Sequence, residues 1–490
     1  MKTLRTFRTL RTLALAAAAA FLAGCSSYEQ DVAKTIELWS HGDYAGAASL
    51  SGDVLKETGS GDRLLWQLEN ATTLRGAGKF NDSIAAFDAA LETVADWDRQ
   101  PDVSVSSEAL AALNNMTSLP YRGTGYDRIM LSTYQALNYL ALGRRDNARV
   151  ALNLALQRQA EAVAANAKRI ENSQDEAKAA KRNGENSYDA DRALKDDSVK
   201  SGLSENYSET RSMRAYADYV NPFSVWLDGI FFLANNRGGS DTERAYKSLQ
   251  RAASMTSCAA VKEDFALAAK VRAAVGVPSI PPIVYVIHEA GLAPARHEIK
   301  INIPVFIVTS KVPFVSAAFP KLEFNKSKNS SLRVWSDAPG AAAPATTETL
   351  ARMDSVIATD FDNEFPAIVV RTLISTGIKA AIAYGINTAS DKATEKKSEG
   401  VRLAAFIASR VTTAVYSVAT AAADLRTWRT LPKEFQVARI TPPKDRVLRI
   451  ATGGHAAQTV NLLPGTVNVI YVRTTRANTP LAVSQFVLKP

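Results

Sequence analysis

The chain predicts a fold in two parts, an N-terminal helical-repeat region (α) followed by an α+β region, and three features of its apolar pattern carry that expectation. In the first half, helix-length segments with apolar residues three or four apart are broken by glycines at a regular interval. After Val275 the spacing of apolar residues shortens toward the period of a strand. Near the C-terminus, short β-branched runs are divided by turn residues such as Pro442-Pro443, Gly453-Gly454 and Pro464-Gly465, as in antiparallel hairpins.

The repeats are read first. Gly42-Asp43-Tyr44 is followed by Ala47 and Val54, and Gly78-Lys79-Phe80 by Ser83, Phe87 and Ala90. In each unit the glycine lets the chain turn after a first helix, an aromatic residue two positions on fills the gap, and small residues let the second helix approach. The two glycines lie 36 residues apart, near the roughly 34-residue tetratricopeptide period. A third pair is expected around Tyr134, Leu137 and Leu140 before Gly143, with Ala148, Leu152 and Ala155 after it. A looser fourth runs from Phe231, Phe232 and Leu233 through Gly238-Gly239 to Ala245, Leu249 and Ala252. Residues 25–276 are therefore expected to form a TPR-like helical-repeat domain, the alternative being a helical bundle without true repeats.

Two stretches interrupt this array. Asp98 to Gly125 reads as a long loop. Residues 161–208 read as a charged helical extension or a disordered insert, helical at first and without fixed structure beyond Asn183. Next, Tyr216, Tyr219 and Trp226 crowd the start of a helix opened by Asn221-Pro222, where proline suits the first turn. These aromatics are expected either to plug the core or to grip a ligand.

Residues 277–490 form the expected α+β domain. Ile283–Ile287 and Glu298–Ile307 read as strands joined by a turn over His288–Pro294, and Leu322–Phe324 and Leu332–Trp335 as further strands. Ala338–Thr347 reads as a loop. Two long apolar helices follow, one with Arg371, Ser375 and Lys379 as a polar stripe, the other with Ser409, Thr413, Ser417, Thr420 and Asp424. The charges within them favour helices packed on a sheet over membrane spans. Phe435–Ile440, Asp445–Ala451, Gln458–Leu462, Asn468–Arg473 and Leu481–Leu488 complete a mostly antiparallel sheet.

The extreme N-terminus carries an address. Lys2, Arg5, Arg8 and Arg11 precede an apolar run from Leu13 to Ala23, then Leu22-Ala23-Gly24-Cys25, the order of a secretory signal. That ending resembles a bacterial lipobox, which implies a signal peptide over residues 1–24 and diacylglycerol plus an N-acyl chain on Cys25. Ser26, in place of an aspartate, points to the outer membrane. With Cys25 lipidated, Cys258 is the sole remaining cysteine and is expected to be a small buried hydrophobe. Removing residues 1–24 takes four of the 58 basic residues, leaving 54 against 49 acidic. So small and scattered an excess does not support nucleic-acid binding.

Chemistry-bearing motifs are scarce. The sequence contains no His-Glu-X-X-His, Gly-X-Ser-X-Gly, phosphate loop or Gly-X-Gly-X-X-Gly. His288-Glu289 and His297-Glu298 read as surface or turn residues, no metal site is expected, and no catalytic residue is nominated.

A resemblance gathers several of these segments. Leu64-Leu65-Trp66, Tyr139 to Gly143, Tyr219 to Phe223, Glu289 to Pro294, Arg371 with Lys379, and Ala423 to Pro432 with Asp424, Arg426 and Trp428, together with the lipobox, resemble a family of tetratricopeptide-repeat bacterial envelope lipoproteins. The resemblance spans nearly the whole mature chain. It implies attachment to the outer membrane of a Gram-negative bacterium facing the periplasm, and a link to cell-wall assembly. It brings no catalytic residues and no cofactor beyond the lipid. Glu289, Arg371, Lys379, Asp424, Arg426 and Trp428 are the candidate polar cluster. Within it Asp424 is expected to pair with Arg371 or Lys379, as a structural link or as part of a pocket for an anionic ligand.

The expected function is a protein-binding scaffold or regulator that holds envelope proteins or peptides on its helical repeats. The alternatives are a cell-wall- or lipid-acting enzyme with its site in the C-terminal region, and a structural subunit of a secretion or assembly complex.

Overall fold

A computed structural model describes residues 27–100, 119–181, 189–274, 279–304, 314–327, 330–394, 422–453, 456–477 and 479–490. Cys25 and the second long apolar helix of the sequence reading lie outside these residues. So do the side chains of 378–379 and 381–394, Lys379 among them.

The helical region is built from hairpins. Helices α1 (Ser27–Ser40) and α2 (Tyr44–Glu57), α3 (Arg63–Gly76) and α4 (Phe80–Arg99), and α5 (Gly125–Ala141) and α6 (Arg145–Lys181) pair in order. The same turn closes the first helix of each pair. Gly42, Gly78 and Gly143 take φ of +82°, +74° and +69°, a conformation that disfavours any side chain. The residue after each glycine donates its N–H to the carbonyl five positions back, Asp43 to Leu38, Lys79 to Leu74 and Arg144 to Tyr139. This is the Schellman closure of a helix end. A fourth hairpin, α9 (Pro222–Ala234) with α10 (Gly239–Met255), turns at Gly238 and is followed by α11 (Ala259–Ala273). Asn221 caps α9 by accepting from the N–H groups of Phe223 and Ser224, with Pro222 at the first helical position.

Residues 161–208 differ from the sequence reading. Helix α6 runs unbroken to Lys181, and beyond Asn183 the chain forms α7 (Ala190–Lys195) and α8 (Asp197–Ser212) instead of a segment without fixed structure. What orders them is burial the local sequence does not reveal. Tyr207 is buried against Phe361 and Phe365, its hydroxyl donating to the Pro320 carbonyl at 2.7 Å. Ala177 and Ala180 are buried on α6, which lies against a long helix of the second half.

That helix, α12 (Met353–Thr394), begins well before the apolar run that announces it. Among the described residues eleven strands form three sheets, and the helix packs on β3 (Phe314–Glu323) of the second of them. The main sheet joins β11 (Ala482–Lys489), β10 (Val467–Thr474), β1 (Ile283–Ala290), β7 (Glu434–Ile440) and β6 (Glu348–Arg352), in that order. Its β1–β10 pair is parallel, and the other pairs are antiparallel. A hairpin of β2 (Ala295–Pro304) and β3 (Phe314–Glu323) forms the second sheet. The third holds β5 (Ala345–Thr346), β4 (Arg333–Trp335), β8 (Val447–Ala451) and β9 (Gln458–Asn461).

The main sheet is a middle layer, buried on both faces. Val284, Val286, Ile470 and Val472 meet Leu332, Val334, Leu448 and Ile450 of the third sheet. On the opposite face Tyr285, Ile287, Val469, Tyr471 and Phe435 join the core of the helices. Strands covered on both sides read as near-continuous apolar runs, and every residue of β1 is buried. The expected turn over His288–Pro294 is shorter for this reason. His288, Glu289 and Ala290 belong to β1, and His288 is fully buried, its ring nitrogens near Thr474 Oγ1 (2.7 Å) and Gln436 Oε1 (3.2 Å). Burial pushes the imidazole down to about 4.

One hydrophobic core runs from Tyr28 to Leu488 and crosses the change from helices to strands. The segment after residue 421 makes that join. Trp428 is buried against Phe87 and Tyr134, and its Nε1 donates to Thr72 and Thr430. The Glu69 carboxylate accepts from the N–H groups of Arg429 and Thr430 at 2.6 and 3.1 Å. The sequence reading closes the second apolar helix with Asp424 to Trp428. Among the described residues, 422–428 form no helix, and their backbone groups are partly met by distant side chains instead, the Ala423 N–H donating to Glu298 at 3.0 Å and the Thr427 carbonyl accepting from the Tyr28 hydroxyl at 2.6 Å.

Candidate functional site

The end of α4, the start of α5, the middle of α6, the β2–β3 hairpin, α12 and residues 422–426 enclose a cleft of about 740 Å³. Its lining carries seven arginines and a lysine against four carboxylates, a concentration of positive charge that the mild overall balance conceals. Arg158, Ala162, Ala165 and Arg169 form one wall. Their spacing of four, three and four places them on one face of α6. The sequence reading treats this face as solvated, because a charged stripe has the same spacing whether it meets water or a cavity.

Most of the guanidinium groups are matched by carboxylates. Arg371 reaches Glu176 at 2.8 and 3.2 Å, Arg128 reaches Asp98 at 2.8 Å, and Arg158 meets Glu161 at 2.7 Å. Arg169 binds Glu364. Arg426 holds Asp424 at 2.7 Å and Asp62 at 2.9 Å. Arg122 lies over the Trp97 ring, 5.4 Å from its centroid.

Arg296, like Arg122, has no carboxylate within ion-pair distance among the described residues, and of the two it is the buried one. It is 8% exposed and lies 5.4 Å from the Phe361 centroid, and its Nε and Nη2 have no hydrogen-bond partner. Tyr219, also on the cleft wall and buried, has an unpartnered hydroxyl. Its backbone sits at φ +57°, a strained conformation for a bulky residue. The ring occupies the space a side chain at Gly125 would need, 2.7 Å from the ideal Cβ position, so the first residue of α5 has to be glycine. Behind it Asp360 accepts from the Tyr126 N–H at 3.0 Å. Burial, reinforced by nearby Glu364, holds its carboxyl well above the usual range.

The sequence-nominated residues divide among several places. Arg371, Asp424, Arg426 and Tyr219 border the cleft. The expected Asp424–Arg371 pair does not form. Asp424 is held by Arg426 two residues away, and α6 offers Arg371 a nearer carboxylate in Glu176. Glu289 lies in a separate buried network, with Arg473 Nη1 at 3.2 Å, Arg75 Nη1 at 3.9 Å and a hydrogen bond from the Tyr471 hydroxyl. Trp428 belongs to the core. Tyr216, Tyr219 and Trp226 serve three different surroundings. The Tyr216 hydroxyl accepts from the Arg352 N–H at 2.9 Å. Trp226 is fully buried, donating to Asp264 at 2.9 Å and meeting Tyr285 edge-on. Burial, opposed by hydrogen bonds from Tyr285 and Trp226, pushes the Asp264 carboxyl up to about 6. Cys258 is buried, and burial raises its thiol to about 11.

A second depression, of about 490 Å³, lies between α6 and the α9–α10 hairpin. Leu152, Ala155 and Leu156 give it an apolar floor, with Arg244, Lys247 and Arg251 of α10 on the other side. Leu156 is 43% exposed, and Val163, two turns further along the same face of α6, is 53% exposed.

Among the described residues no group of three or more His, Cys, Asp and Glu is placed to hold a metal ion, and no helix is long and apolar enough to cross a membrane. No protein-family model matches the chain, and no curated protein is similar to it in sequence. Among solved structures, a tetratricopeptide repeat protein from Parabacteroides merdae ATCC 43184 is similar at 14% identity, over 50% of this chain and 99% of its own, with a TM-score of 0.14. That score carries no argument. The hairpins of this chain are defined by their own turns and caps.

Proposed function

We propose that this chain is a lipid-anchored scaffold of the bacterial cell envelope, tethered through Cys25 to the outer membrane on its periplasmic side, that binds envelope proteins or peptides on its helical hairpins. The observation that carries the binding role is the groove beside α6. Leu156 and Val163 are two of the four large apolar residues exposed among the described residues, with Val150 and Leu463, and the α10 cations face Leu156 across the groove. An apolar strip with a basic rim suits an amphipathic segment bearing acidic residues. The lipobox supplies the anchoring part of the reading, since a lipidated N-terminus keeps the groove at high local concentration beside membrane-bound partners.

The experiment is crosslinking in intact envelopes with a photoreactive residue at position 247, on the α10 rim of the groove. A discrete adduct, lost in the Leu156→Asp, Val163→Asp double variant whose circular dichroism matches the parent, is the expected result. Adducts unchanged by the two aspartates would overturn the assignment of this face.

A further inference from the structure

We infer that the arginine-lined cleft is a binding site for an oxyanion, a ligand bearing a phosphate or carboxylate group, with Arg296 and Tyr219 as its principal unspent donors. This goes beyond the scaffold role and does not depend on it, since the cleft and the α6–α10 groove share no lining residue.

Three observations meet here. A buried guanidinium without a partner is costly, because its charge leaves water and gains nothing in exchange. The cleft's own carboxylates reach Arg296 only through the field of Glu364 and Asp424, and none bonds to it: Glu364 is engaged by Arg169, Asp424 by Arg426, and Asp98 and Glu161 by Arg128 and Arg158. Among the described residues no carboxylate comes within ion-pair distance of it. The Tyr219 hydroxyl is a second buried donor on the same cleft, and its residue is held in a strained backbone conformation, as happens where a side chain must be aimed. A planar guanidinium fork matches the oxygen pairs of carboxylate and phosphate groups. A cavity of about 740 Å³ admits a ligand well beyond a bare ion, and Trp97, Pro320 and Ile368 give such a ligand apolar walls.

The test uses the full-length protein, with inorganic pyrophosphate and citrate as probes in separate titrations against sodium chloride at matched ionic strength. Binding is followed by calorimetry and by the melting temperature. Saturable binding of at least one probe is expected, a response to pyrophosphate alone assigning a phosphate ligand and to citrate alone a carboxylate. Arg296→Met should weaken that binding about tenfold or more, the loss of a charged hydrogen-bond donor. It should also leave the probe-free melting temperature close to that of the parent, since no hydrogen bond or ion pair of Arg296 among the described residues is removed and the field of Glu364 and Asp424 offsets only its burial. Tyr219→Phe, which keeps the ring that packs on Gly125, should weaken binding a few-fold without lowering that temperature, and it decides the matter if Arg296→Met does not fold. Absence of binding above the chloride control, or wild-type affinity in Tyr219→Phe and in any folded Arg296→Met, would overturn the inference.

Discussion

Two regions of this molecule concentrate charge, and they use it in opposite ways. Around Glu289 the charges are sealed between helices and sheet. Its carboxylate faces Arg473 and Arg75 and takes a hydrogen bond from Tyr471, while Arg75 lies over the Tyr471 and Tyr134 rings at 4.3 and 5.0 Å. Arg473 also donates to the carbonyls of Gly291 and Thr430. In the cleft, positive charge exceeds negative, space is left open, and among the described residues no carboxylate bonds to Arg296. Closed pairing of this kind fixes how elements meet, whereas an open surplus is available to something outside the chain. The first is a joint and the second a receptor.

The sharpest way to break this contrast is to remove the joint. Glu289→Ala strands two buried guanidinium groups, and a loss of about 3–5 kcal/mol in chemical denaturation is expected. A change below about 1 kcal/mol, the size typical of an exposed pair, would mean that the network carries no structural weight.

A smaller effect belongs to the other end of the same seam. Burial raises the Glu69 carboxyl to about 7, against the hydrogen bonds from residues 429 and 430 that favour its charged form. A folded-state value above the unfolded one means that the folded chain binds the extra proton. Its contribution is therefore full below about pH 4.5 and is lost as pH rises through about 7. Relative to Glu69→Gln, the wild type should lose up to about 3 kcal/mol across that window. Parallel stability profiles for the two proteins would refute this.

The smallest effect is expected at the cleft wall. Arg158 pairs with Asp98 and Glu161, carboxylates that are 42% and 40% exposed, and Arg158→Ala should cost no more than about 1 kcal/mol. A loss as large as that of Glu289→Ala would make the cleft a second joint and erase the distinction.

The hairpin turns were legible in the sequence because glycine reports a backbone conformation directly. Gly42, Gly78 and Gly143 mark the ends of α1, α3 and α5 in one dimension as they do in three. The C-terminal strands were legible for a similar reason, since turn residues bracket each of them. Burial supplied from elsewhere was not legible. Helices α7 and α8 are polar by composition and are ordered through contacts such as those of Tyr207 with Phe361 and Phe365, far along the chain. Arg296 was not legible either, because a cation in an alternating strand looks like an outward-facing residue, as Lys300 of the same strand is, until the covering elements are in place.

By itself, then, the sequence determined the local events. Glycine set the helix-to-helix turns, apolar period set the passage from helices to strands, and the Leu-Ala-Gly-Cys segment set the expectation of an anchor at Cys25. Only the tertiary structure decided which charges meet. It gave Arg371 to Glu176 and Arg426 to Asp62, put Glu289 between the two halves and left Arg296 at the cleft with no carboxylate bonded to it among the described residues. Ion pairing depends on separations of a few ångströms between elements hundreds of residues apart, and such distances follow from how the shared core closes, which no local pattern records.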